Sequence, residues 1–254
     1  MAEYETVRRA GASAHTSAID VGLRAHMNRV YSLMSVAMLI TGVIAYVVGS
    51  DLAAARLGQE TMLLSPAILE TMFTSPVRYI IMFAPLAVVF AFGAGINRMS
   101  ENTARLVFMG FAALMGLSIS WIFAVYTGIS IANTFFVTAI AFGGLSAWGY
   151  TTKKDISGWG SFLIMGVIGL IVASVVNIWL QSEAIQFAVS AIGVLIFAGL
   201  TAYDTQKIKN TYIQMAANGQ TEWLGKAAIM GALNLYLDFL NMFMFLLQFM
   251  GNRN

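Results

Sequence analysis

Apolar residues run along this chain in long, nearly unbroken stretches, and short polar clusters separate them. Such stretches predict helices that cross a bilayer, which takes about 20 residues at roughly 1.5 Å of rise each. Seven are legible, over about residues 27–49, 77–96, 106–126, 129–150, 159–180, 184–204 and 226–249. Ahead of the first, residues 1–26 are polar, with Arg8, Arg9 and Arg24 among Glu3, Glu5 and Asp20, and hold no apolar core of signal-peptide length. The division is therefore a polar N-terminal segment, 1–26, and one transmembrane domain, 27–254. Residues 51–76 have a hydrophobic middle, Met62, Leu63, Leu64, Ile68 and Leu69, that predicts a helix lying in the membrane interface.

The seventh stretch breaks its own pattern. Asn234, Asp238, Asn241 and Gln248 recur at i, i+4, i+7 and i+14, which draws one polar stripe along an otherwise apolar helix. A carboxylate in mid-membrane is expensive and must face protein or water. This helix therefore belongs in the middle of the bundle. The sixth helix carries its own stripe, Gln186, Ser190, Thr201 and Asp204, and two striped helices adjacent in sequence are expected to face each other. In the third, Ala112, Gly116, Ser120 and Ala124 repeat small residues every fourth position, a spacing that lets another helix come close.

Composition agrees with an all-α integral membrane protein: 59% of residues are hydrophobic and 10% charged, too little polar surface for a soluble domain. Where the charges fall says more than their sum. With the N-terminus inside, the inner segments hold Arg8, Arg9, Arg24, Arg29, Arg98, Arg105, Lys153, Lys154, Lys207, Lys209 and Lys226, and the outer ones only Arg56, Arg78 and Arg253. Positive charge is retained in the cytoplasm, so the expected topology is N-in and C-out. The absence of cysteine excludes disulfides and thiolate chemistry. His15 and His26 precede the first span without partners at ligand spacing, which speaks against zinc catalysis. Phosphate loops, nucleophile elbows and nucleic-acid-binding stripes are not found, and no enzymatic activity or resident cofactor is expected.

The membrane acids carry the chemistry. If the striped helices face each other, Asp204 and Asp238 share one poorly solvated site, where desolvation and mutual repulsion favour a proton held between them. Arg98, at the inner end of the second span, falls on the same membrane side as Asp204 and could pair with it when ionised and release it when protonated. Depth counts against this grouping, because a sixth span ending at Asp204 leaves that residue at the border and Asp238 roughly 12–18 Å deeper. Asp238 could also be a structural acid satisfied by Asn234, Asn241 or a hydroxyl, although a neutral Asn would serve as well. Asp204 could be an interfacial acid beside Lys207 and Lys209, and Arg98 a membrane-side anchor.

FAGLTAYDTQKIKNTY at 197–212, followed by ALNLYLDFLNMFMFLLQFMG at 232–251, resembles the signature of the Bax inhibitor-1, or transmembrane Bax inhibitor motif, family. The resemblance implies a prokaryotic member in the inner (plasma) membrane, with a central seventh helix and a pH-sensitive calcium leak. It places the family's two aspartates on Asp204 and Asp238 and its latch arginine on Arg98. Asn234, Asn241, Ser190 and Thr201 would support that site. Calcium usually takes six to eight oxygens, so two carboxylates with a few amides give transient coordination of a transported ion rather than a cage. The implied partners are the lipid bilayer, calcium ions and protons. The alternatives are a regulator that binds other membrane proteins and a proton-coupled cation transporter.

Overall fold

In the computed structural model the described residues are 2–253, with side chains described over 19–253 apart from Thr221. Nine α-helices follow one another among them: α1 (Ala2–Arg56), α2 (Pro66–Phe73), α3 (Val77–Gly95), α4 (Glu101–Ile119), α5 (Ile122–Val125), α6 (Gly128–Thr151), α7 (Trp159–Leu180), α8 (Glu183–Ala217) and α9 (Leu224–Met250). A 3-10 turn, Ile96–Arg98, continues α3, and another, Thr221–Trp223, leads into α9. Seven helical segments are long and apolar enough to cross a membrane, in the expected order. The only extended pairing among the described residues is an isolated bridge between Tyr126 and Arg253.

Helix α9 is the axis. Its most apolar stretch is 61% buried, against 11–39% for the other six spans, and α8, α1, α6 and α4 pack around it. Helices α3 and α7 lie outside, against α4 and α8 respectively. Polar atoms on α9 therefore meet protein on every side, as its stripe requires.

The small residues of α4 meet α1. A Cβ added at Gly116 would lie 2.6 Å from the Thr41 carbonyl oxygen, so only glycine permits this crossing. Thr41 ties the crossing to the axis: its hydroxyl is 2.8 Å from the Ala112 carbonyl oxygen of α4 and 2.7 Å from the Tyr236 hydroxyl of α9. Tyr236 is fully buried, with Phe108 and Phe111 edge-on to its ring. With Thr41 donating to the carbonyl, Tyr236 donates to Thr41. Tyr236→Phe should cost about 1 kcal/mol of stability, the usual worth of one such bond, read as a small drop in the thermal midpoint in detergent.

Several boundaries differ from the sequence reading. Helix α1 starts at Ala2 and ends at Arg56, so the polar N-terminal segment runs into the first span as one helix over its described part. Residues 51–76 hold a short helix, α2, at their C-terminal half only. Before it, the chain folds back onto α1, where buried Asp51 accepts hydrogen bonds from the backbone N–H groups of Met62, Leu63 and Leu64 at 2.6, 2.9 and 2.8 Å. Helix α4 begins at Glu101, five residues early, because Ser100 caps it by accepting from the Thr103 N–H at 3.1 Å.

The largest correction concerns α8, which continues thirteen residues past Asp204 to Ala217. The polar residues beyond Asp204 do not end the helix, because they have partners along its side. Gln206 donates to the Lys154 carbonyl at 2.8 Å and accepts from the Ile156 N–H at 3.0 Å, clasping the α6–α7 loop. Lys209 donates to the Tyr150 carbonyl at 2.7 Å. In the same loop Asp155 accepts from the Ser157 N–H at 2.9 Å, which holds its carboxyl below the usual carboxylate range. The helix stops at Gly219, whose φ of +70° suits glycine and reverses the chain toward α9.

Candidate functional site

The extension of α8 resolves the depth mismatch. Asp204 lies thirteen residues before the end of α8 and Asp238 fourteen after the start of α9, so each stands roughly 20 Å from the same end of the bundle. Both are buried, at 9% and 4% exposure. Their carboxyl groups lie within hydrogen-bonding reach of each other. Oδ2 of Asp238 has no hydrogen-bond partner among the described residues. Lys207, one turn along α8, is the positive charge that acts on Asp204.

Two carboxyls in contact form a hydrogen bond only if one of them carries a proton. Ionised together without water they repel, and one orphaned oxygen has nothing to solvate it. The pair can therefore hold one proton, or separate and admit water or a cation. Among the described residues no third His, Cys, Asp or Glu joins them in a metal-binding cluster.

The supporting residues divide. Ser190 links the two stripes, with its hydroxyl 3.3 Å from Gln248 Oε1 of α9. Asn234, one turn before Asp238, lines a cavity at the end of the bundle. Thr201 and Asn241 bond back to their own helices, to the Phe197 carbonyl at 2.8 Å and the Leu237 carbonyl at 2.9 Å. Arg98 is exposed in the 3-10 turn after α3 and paired with neither aspartate. The one ion pair among the described residues joins Arg29 to Glu101, and Glu101 also rests against Gly225 at the start of α9.

A chain of hydroxyls crosses from α1 through α6 to α8 and ends on the Thr201 carbonyl. Tyr31 of α1 lies 2.7 Å from Ser146 of α6, and Ser146 lies 2.9 Å from Thr205, the neighbour of Asp204. Ser146 and Thr205 are buried on apolar helices, and that exception to the pattern was the available signal for them. His26 is also buried, its ring 4.9 Å from that of Tyr212, while the side chain of His15 lies outside those described. Arg29 and Glu101, 72 positions apart, left no local mark.

Residues 23–254 match the family described as Inhibitor of apoptosis-promoting Bax1. The chain belongs to the Bax inhibitor-1 family. Its bacterial relatives extend the match over almost the whole length. It is 46% identical to the inner membrane protein YbhL of Escherichia coli K12, over 91% of this chain and 93% of that one. An uncharacterized protein of Rickettsia prowazekii is 44% identical over 92% of each chain, and one of Caulobacter vibrioides 42% over 92% of this chain and 90% of its own. Within this Bax inhibitor-1 chain, the motif segments that carry the resemblance are the parts of α8 and α9 that place the aspartates.

Proposed function

We propose that this Bax inhibitor-1 protein is a passive, pH-sensitive leak for calcium in the inner membrane, with its N-terminus in the cytoplasm and its C-terminus outside. The observation that carries this reading is the buried contact between Asp204 and Asp238, with one oxygen of Asp238 left unpartnered at the axis of the bundle. Such a pair responds to protons, and when ionised it attracts a divalent cation. Two carboxylates bind calcium weakly, which suits an ion in transit. The clustering of basic residues at the end where α1 begins, with Arg56, Arg78 and Arg253 at the other, supports the orientation. Passive conduction needs neither a catalytic group nor a resident cofactor.

Arg98 is the proposed latch. It pairs with an ionised aspartate in another conformation and is released when the pair takes up a proton, and its free position here fits the released state. The test is calcium entry into dye-loaded liposomes compared at acid, neutral and alkaline pH. Wild type should show a pH-dependent flux and Asp238→Asn a flat one. Wild-type flux equal to that of empty liposomes at every pH would overturn the leak.

A further inference from the structure

At the end of the bundle where α9 begins, a cavity of about 300 Å³ opens between α1, the 3-10 turns, α8 and α9. Its polar lining consists of His26, Asn97, Lys207, Thr211, Lys226 and Asn234, and no Asp or Glu is among its lining residues. Neither lysine makes an ion pair among the described residues. Lys226 is half-buried, stands 4.6 Å over the Trp223 ring and makes one long bond, 3.4 Å, to the Asn97 carbonyl. Lys207 stands 5.9 Å from the Tyr203 ring, and the charge of Asp204 reaches it without an ion pair.

His26 makes the cavity more than a basic surface. It is 7% exposed, its ring is held against Tyr212, and it has no hydrogen bond to any described residue. Neither ring nitrogen is among the buried unpartnered polar atoms, so the polar edge opens to the cavity and can bond to whatever fills it. Two ammonium groups, an imidazole and neutral donors around one volume suit a compact oxyanion carrying two or more charges. We propose that this cavity binds a phosphate-type anion, held chiefly by Lys207 and Lys226 and oriented by His26. The site adjoins the aspartate pair through Lys207 and Asn234, but binding itself does not depend on whether the protein leaks calcium.

Pyrophosphate titrated by calorimetry into the full chain, in uncharged detergent at low salt, is the test. Saturable binding is expected, weakened roughly tenfold by Lys207→Gln and by Lys226→Gln and less by His26→Phe, which keeps the ring contact with Tyr212. Lys153→Gln removes the same charge at the same end but lies outside the cavity, and should bind as wild type does. No saturable binding, or an equal loss in Lys153→Gln, would overturn the proposal. Repeating the titration in nanodiscs identifies the source of the phosphate. Competition by an anionic phospholipid absent from a zwitterionic control points to a lipid headgroup, and unchanged affinity points to a soluble phosphate.

Discussion

Gly116→Leu should leave α1 unable to seat on α4, with a loss of roughly 3 kcal/mol or more, in the range of severe overpacking. The side chain would have to enter where the Thr41 carbonyl oxygen and Ile44 Cβ already lie, 2.6 and 3.0 Å from the first added carbon. Backbone cannot swing aside as the end of a flexible side chain can, so α1 itself must move. That movement also pulls Thr41 away from Ala112 and Tyr236, which couples the damage to the central helix. Gly110, on the same helix, has nothing within 4 Å of an added Cβ. Gly110→Leu should therefore be neutral or slightly stabilising, within about 1 kcal/mol, since leucine is the better helix former. Thermal unfolding of the two variants in detergent gives the comparison. Equal midpoints would mean that the close crossing of α1 and α4 does not hold the fold together.

The small-residue repeat that runs from α4 into α5 shows what the sequence could reveal. Spacing alone marked a close helix crossing, yet nothing in the spacing named α1 as the partner. The seven spans and the central place of α9 were legible for a simple reason: in a bilayer, apolar length reports a span, and a polar stripe reports burial in protein. The end of α8 was misread because Lys207, Lys209 and Asn210 look like the edge of a membrane, while helix length depends on capping and on partners outside the segment. Gln206 finds those partners on the α6–α7 loop and Lys209 at the end of α6, which no local pattern announces. Asp51 is a similar case. Residues 51–76 read from their hydrophobic middle as an interfacial helix, and Asp51 at their start is the buried acceptor that folds the first half of that segment back. The aspartate pair was legible as two stripes, but its common depth appeared only once α8 was seen to continue. Arg98 was read from its membrane side and from the resemblance, and in this structure it is exposed and paired with neither aspartate.

Asp238→Asn should make the protein more stable while removing the pH dependence of its proposed flux. An amide at 238 can donate to Asp204 without a bound proton, so the contact between α8 and α9 survives at any pH. In the wild type that contact requires a proton, and losing it leaves two charges touching in a dry site. The stability of the wild type should therefore fall as pH rises through the loss of the shared proton, while that of the variant stays level. The gap should open toward alkaline pH and reach about 2–3 kcal/mol, the cost of leaving a buried charged group unsatisfied. Unfolding midpoints measured from about pH 5 to about pH 9 would follow it. This separates the two roles an acid can have here. If Asp238 serves the fold, replacing it lowers the midpoint at every pH. A gain in stability, widening with pH, means that the bundle carries this carboxyl at a thermodynamic cost that only its response to protons and cations explains.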